Sequence, residues 1–492
     1  MLKPLNFMAE TTQTVEVHEK IEDDTYERLG KDTPFRTLYQ TTWGPFAAEV
    51  VGALYGIVDT FWISRLVSQE GNAAMALVSL MDTFGRAFGH FVCSAASSQL
   101  SRLRGQKKHD AIPQVFADLF RLCFIFGIIA PLILIPLIRP LLNFFNATGN
   151  IRQYGFDYLQ PLLLGTCITC LNLFFCGCLQ SEGRGSAFGI VQISSFCINM
   201  LIFDPLFMGP LKLGMKGAAL STITAEFIPM VVLAYMFFKG KFNTTCNSSH
   251  LLNKFAPETY DAMKVGFTQF ISHICFNIPS FFSRKYIELG ATKMGQYSQI
   301  LAALNPVMRI WSFPGSYAMA LSISFLPAAS YAYGASKIKR TKEILKVAYF
   351  MTFGWCGVAE LIIIVFGEYI AKIFDTDPSF VSLTVKMLRI TYSFAILMGV
   401  EMIAASFLQS IKWNKCALIL SILTRFLPVP MFGSLLFFTD PSRNVFRTLK
   451  MYPLNDIFSS LLSTIVLIFP WKSLSEMPEK EEEDSSPDMK EL

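Results

Sequence analysis

Long apolar stretches separated by short polar breaks run through almost the whole chain. A bilayer-spanning helix needs roughly 20 mostly apolar residues. Stretches that meet this length fall near 41–65, 73–100, 114–138, 153–180, 186–208 and 217–238. A polar break from Lys239 to about Pro257 follows, and six more stretches lie near 264–287, 295–327, 344–366, 380–409, 415–438 and 453–471. The pattern predicts an all-α, polytopic membrane protein of about twelve transmembrane helices. Its expected parts are a tail over 1–38, a six-helix lobe over 39–240, a linker over 241–258, a second six-helix lobe over 259–472 and an acidic tail over 473–492.

The two lobes read as a duplication. Leu179-Gln180-Ser181 recurs as Leu408-Gln409-Ser410, an offset of 229 residues. The same offset relates Ser101 to Ser330, Gly105 to Gly334, Lys108 to Lys337, Phe145 to Phe374 and Ile193 to Ile422. Each repeat holds an even number of spans, so the chain returns to its starting side before the second begins. The halves are then parallel repeats related by an axis along the membrane normal, as in transporters whose halves rock about a central site.

Lys and Arg set the orientation. Arg102, Arg104, Lys107 and Lys108 follow span two, Lys337, Lys339, Arg340 and Lys342 follow span eight, and Lys239, Lys241 and Lys254 lie in the linker. These place both termini in the cytoplasm, against the countersignal of Arg443, Arg447 and Lys450 on the predicted outside. The sequons at Asn243 and Asn247 should then be unused, and Asn146 would face outside close to the membrane.

Composition agrees with membrane residence: 52% of the 492 residues are hydrophobic, 16% are charged, and Phe occurs 46 times. Mean hydropathy is +0.42. A soluble surface of this length could not stay wet on that supply. The net charge of +5 is scattered and suggests no nucleic-acid partner. The first ~35 residues hold no apolar core of a signal peptide. Cys167, Cys170, Cys176 and Cys178 lie inside one apolar stretch without a second metal-spaced pair, and read as small buried hydrophobes. No phosphate-binding loop, His-Glu-x-x-His or Ser/His/Asp set is present, so neither a nucleotide-driven pump nor an enzyme is expected, and no cofactor or metal.

Tyr55-Gly56-Ile57-Val58-Asp59-Thr60-Phe61-Trp62 resembles the first-helix signature of the multidrug and toxic compound extrusion (MATE) family, together with the in-helix Pro45 and the upstream Leu29-Gly30-Lys31-Asp32-Thr33-Pro34. Asp204-Pro205-Leu206-Phe207 with Gly217-Ala218-Ala219-Leu220, Ala96 to Gly105, and Phe325-Leu326-Pro327 through Tyr333-Gly334-Ala335 are similar to further segments of that family. The likeness lies nearer its DinF-like branch than the mammalian organic-cation exporters. It implies secondary export of organic, often cationic, compounds in exchange for H⁺ or Na⁺ by alternating access, from the plasma membrane, by what is expected to be a monomer. Two departures stand out. Gly56 replaces the usual Asn, and the Asn expected four residues before Asp204 is Met200, with Asn199 one place further back. One residue turns a regular helix by about 100°, so Asn199 is not expected to inherit that role.

Ionisable side chains at membrane depth cost at least a few kcal/mol and are functional candidates by default. Asp59 and Asp204 fall late in two outward-running spans of the same half and are the expected ion-coupling pair; the plainer reading is that they cap or bridge helices. Apposed carboxylates in a low-dielectric site can hold a proton between them, and ion entry would bend the Pro45 helix and release substrate. Tyr55, Gly56, Asn172, Asn199 and Glu401 are the expected cavity-lining residues, Glu401 being the repeat mate of Asn172 (401 − 172 = 229). Asp82, Arg86 and His90 form one stripe along span two, read as a self-shielding ion pair or a proton relay. Glu49, Glu226 and Glu360 carry no assigned role, Arg309 and Arg425 should pair with acids or snorkel, and Trp62 should anchor at the interface. A flippase for lipid-linked oligosaccharides is the alternative function. The acidic bias of the first half's intramembrane charges favours organic cations instead.

Overall fold

The computed structural model describes residues 27–144, 149–244 and 248–476. Asn146, Asn247 and most of both expected tails lie outside them.

The described chain forms twelve helical rods. They are α1 (Pro34–Leu66), α2 (Gln69–Gly105), α3 (Ile112–Phe144), α4 (Gly149–Leu164 and Thr166–Ser181), α5 (Gly185–Met208) and α6 (Gly214–Phe238) in the first half. In the second half they are α7 (Pro257–Lys293), α8 (Tyr297–Ile310 and Ser312–Gly334), α9 (Ile338–Phe374), α10 (Pro378–Thr391 and Val400–Ser410), α11 (Asn414–Phe438) and α12 (Met451–Ser475). The repeat is visible in detail. The bent rod α4 breaks by 51° and its counterpart α10 by 46°. The offset of 229 relates the ends of α2 and α8 (Gly105, Gly334), the ends of α4 and α10 (Ser181, Ser410) and the starts of α5 and α11 (Gly185, Asn414).

Among the described residues seven helices are long and apolar enough to cross a membrane, and nine if each bent pair is one span. The three rods outside that set are α2, α7 and α8. They carry Arg86, His90, Ser97, Gln269, His273, Ser316 and Ser322 onto a central cavity. A helix that faces protein or water at membrane depth needs no apolar surface there, so their weak hydropathy follows from their position.

Prolines inside the rods free backbone carbonyls, and side chains of neighbouring helices take them up. Pro45 offers no N–H to Thr41, and the Thr41 carbonyl accepts from Ser324 Oγ of α8 at 3.0 Å. Pro205 and Pro428 each follow a π turn, Asn199–Phe203 in α5 and Ile422–Phe426 in α11. The freed Met200 carbonyl accepts from Trp62 Nε1 at 3.0 Å, and Thr424 from Ser459 Oγ at 2.9 Å. Trp62 therefore ties α1 to α5, a role beyond interface anchoring.

The backbones of the two lobes come closest where α2 and α8 end. Gly105 and Gly334 cross so closely that a Cβ at Gly105 would lie 2.2 Å from the Tyr331 carbonyl, and one at Gly334 2.4 Å from that of Arg102. Arg102, 1% exposed, reaches across to the carbonyls of Gln409 and Ser410 at 3.2 and 3.0 Å. Arg104 makes the equivalent cap on Ser181 within its own lobe at 3.0 Å. These two arginines thus neutralise the carbonyl ends of α4 and α10, and only Lys107 and Lys108 of that cluster are exposed as orientation signals. Leu29 and Leu38, expected in a soluble tail, are fully buried in the core of the second half, and Arg340 donates to the Leu29 carbonyl at 2.8 Å.

Candidate functional site

A cavity of about 410 Å³ lies between the lobes. The first half contributes Glu49, Gly52, Tyr55, Arg86, His90, Asn172, Asn199, Thr222 and Glu226; the second contributes Gln269, His273, Phe276, Trp311, Ser316, Met402 and Arg425.

Behind the first half's wall lies a buried polar cluster. Asp59 on α1 is 5% exposed, Asp204 on α5 is 0% exposed, and the two are within electrostatic reach of one another. Asp204 Oδ1 accepts from Ser221 Oγ of α6 at 2.5 Å. Asn199 Nδ2 donates to the Tyr55 hydroxyl at 3.0 Å and to Thr222 Oγ1 at 3.3 Å, and those two hydroxyls lie 3.2 Å apart. Two buried oxygens, Asp204 Oδ2 and Asn199 Oδ1, have no hydrogen-bond partner among the described residues. The donors are therefore carboxylate, amide and hydroxyl oxygens, a hard set suited to a proton or a small hard cation. Among the described residues no group of three or more His, Cys, Asp or Glu could hold a metal ion.

Asn199 reaches this cluster because of the π turn. The Asp204 amide bonds the Asn199 carbonyl five residues back, where a regular α-helix would bond four back. That turn absorbs one extra residue, so the 100° displacement expected for Asn199 is cancelled and it is buried within reach of Tyr55 and Thr222. A uniform helical period misses this; Pro205, directly after Asp204, is the signal that could have shown it. Ser221 and Thr222 also escape the sequence-based expectations, although they are adjacent hydroxyls in a largely apolar helix.

The other expected residues divide. Asn172 lines the cavity. Gly56 is not part of the wall: it lies one turn beyond Gly52 on α1, exposed, with nothing within 4 Å of the position a Cβ would take. Glu401 is also not on the wall. Arg425 Nε binds it at 3.1 Å and itself reaches the cavity, donating to Ser272 at 2.8 Å. Pro45 is buried at the tight α1–α5 crossing, where Gly44 faces Gly185 and Gly189. Arg86 pairs with Asp82 at 3.0 Å and extends to Glu226 at 3.6 Å, so the ion pair bridges α2 and α6. His90 leaves that stripe and stacks on His273 of the other half, with ring centroids 4.1 Å apart. Glu360 accepts from the Ile396 amide at 2.7 Å inside the break of α10.

Two parallel six-helix lobes around a polar central cavity define an integral membrane protein with the MATE architecture. A crystal structure of a MATE protein in complex with MaL6 superposes with a TM-score of 0.84, at 19% identity, over 92% of this chain and 99% of that one. An outward-facing multidrug resistance MATE family transporter gives 0.81, at 19% identity, over 91% and 98%. The chain belongs to the MatE family: the family's model matches residues 46–206 and 292–431, one block in each half. Among curated relatives, the multidrug export protein MepA of Staphylococcus haemolyticus (strain JCSC1435) is 24% identical over 390 residues, 79% of this chain and 84% of that protein.

Proposed function

We propose that the chain is a secondary antiporter that exports small organic cations in exchange for H⁺ or Na⁺ by alternating access. The observation that carries this reading is the oxygen cluster of Asp59, Asp204, Asn199, Tyr55 and Thr222 behind the wall of an interlobe cavity. Relatives that are themselves multidrug exporters support it.

In this reading Asp59 and Asp204 carry the coupling ion, with Asn199 and Thr222 as neutral oxygen donors. Filling the site draws α1, α5 and α6 together. The Trp62–Met200 bond and the Gly44–Gly185 crossing pass that movement to the Pro45 region, whose free Thr41 carbonyl is held by the opposite lobe. Rearrangement there weakens the interlobe contact and changes access to the cavity. The lobes 39–240 and 259–472 move as units about the cavity, in the plasma membrane, with the termini and linker cytoplasmic. The contacts where α2 and α8 end then correspond to a cavity closed to the cytoplasm.

The test is uptake of a fluorescent organic cation into inverted vesicles under an imposed H⁺ or Na⁺ gradient. Wild type should accumulate the dye under one of the two gradients, and Asp59→Asn should lose at least about tenfold of the gradient-driven rate. Failure of wild type under both gradients would overturn the coupled-export reading and leave lipid-linked sugars as the next substrates to try.

A further inference from the structure

Besides Glu49, three charged side chains of acidic or guanidinium type reach the central cavity, and each is matched. Arg86 has Asp82 and Glu226, Glu226 also accepts from Thr169 at 2.6 Å, and Arg425 has Glu401. Glu49 has no hydrogen-bond or ion-pair partner among the described residues, although it stands on the cavity wall. An uncompensated carboxylate at membrane depth costs at least a few kcal/mol, and an unpaired buried charge is destabilising until an opposite charge arrives.

Its surroundings suit a ligand that brings that charge on an apolar body. Ala48, Gly52 and Ala53 flank Glu49 on the same helix as small cavity-lining residues, and the Phe196 ring packs close against Gly52, where a Cβ would come within 3.2 Å of it. Phe196 and Trp311 supply aromatic wall from the two halves. A cation held between a carboxylate and aromatic faces gains both Coulomb and cation–π attraction. Ten residues separate Glu49 from Asp59, about 15 Å along α1. The carboxylate on the cavity wall and the carboxylate of the buried cluster are thus distinct, and both lie on the outer side of Pro45.

We propose that Glu49 selects the charge of the substrate: it binds the cationic centre of a lipophilic organic cation whose apolar part rests against Phe196 and Trp311. The inference rests on the export reading above and adds to it a division of labour along α1, with the substrate's charge read at Glu49 and the coupling ion at Asp59. Neutral compounds of the same shape then gain nothing from Glu49.

The experiment measures binding to the full chain in lipid nanodiscs by fluorescence, using ethidium as a permanent cation and Nile red as an uncharged aromatic probe. E49Q should weaken ethidium binding by at least about tenfold, the weight of one charge-assisted contact, while Nile red stays within about twofold and certifies an intact cavity. E49D should hold ethidium within about threefold, because the charge is kept on a shorter arm. Ethidium binding to E49Q as tightly as to wild type would overturn the assignment. Parallel loss of both probes in E49Q and E49D would overturn it too, by showing that the residue's shape matters and its charge does not. If wild type binds Nile red but not ethidium, the export of organic cations fails together with this inference; if wild type binds ethidium and E49Q is unaffected, only this inference fails.

Discussion

Asn199 shows how closely the chemistry of this site depends on single atoms. Its amide nitrogen serves two hydroxyls, Tyr55 and Thr222, while its oxygen is buried without a hydrogen-bond partner among the described residues. Asn199→Asp should keep an oxygen there but remove the donor that ties Tyr55 to Thr222. Asn199→Ala should remove both. We expect gradient-driven dye uptake to fall by about tenfold or more in Asn199→Ala, with binding of uncharged Nile red unchanged. At Ser324 the effect belongs to stability. Ser324→Ala leaves the Thr41 carbonyl, freed by Pro45, without its partner, and an unsatisfied buried carbonyl costs about 1–3 kcal/mol. A drop in thermal midpoint in detergent checks it; an unchanged midpoint would mean that the Thr41 carbonyl finds another donor.

At the scale of the element, α5 has a register that its sequence alone does not announce. The π turn at Asn199–Phe203 places Asn199 and Asp204 on one face five residues apart. Deleting Leu201, which is 68% exposed, removes the extra residue and leaves Asn199 four residues before the aspartate in a regular helix. Those two residues should remain on one face, so the deletion is expected to keep gradient-driven uptake while Asn199→Ala does not. Inserting an alanine at the same place should abolish uptake, since it turns the two residues apart by about 100°. Loss of uptake in both variants would show that the π turn matters beyond setting the register.

At the scale of the whole molecule, the two lobes pack along α1, α2, α7 and α8, and the closest backbone approach is at the Gly105–Gly334 end. Gly105 and Gly334 let α2 and α8 approach within backbone contact, and Arg102 clamps the far lobe's Gln409 and Ser410 carbonyls. Gly105→Val cannot be accommodated beside the Tyr331 carbonyl without moving backbone. It should separate the lobes at that end, seen as a longer distance between spin labels at the exposed positions Lys107 and Lys339 in a background lacking the native thiols. Arg102→Ala should shift the same distance in the same direction by loosening the clamp, with a smaller mean change and a broader distribution. An unaltered distance in both would mean that the His90–His273 and Thr41–Ser324 contacts suffice to hold the lobes.

Residue order alone settles the membrane-spanning character, the number of rods and the duplication, because hydropathy and a constant offset of 229 are properties that packing does not alter. It also makes Asp59, Asp204, Tyr55 and Asn172 legible as candidates, since a polar side chain in an apolar span is costly unless a partner or a function compensates it. What those residues touch is set by packing in three dimensions. Packing brings Ser221 and Thr222 beside Asp204 and Asn199, places Glu401 behind Arg425, and makes Arg102 and Arg104 helix caps in place of surface charges. Each of these depends on the exact register of a helix and on which neighbour faces it. A local proline-driven π turn is enough to reassign a residue from one face to another, and a pattern read at a uniform period averages such turns away.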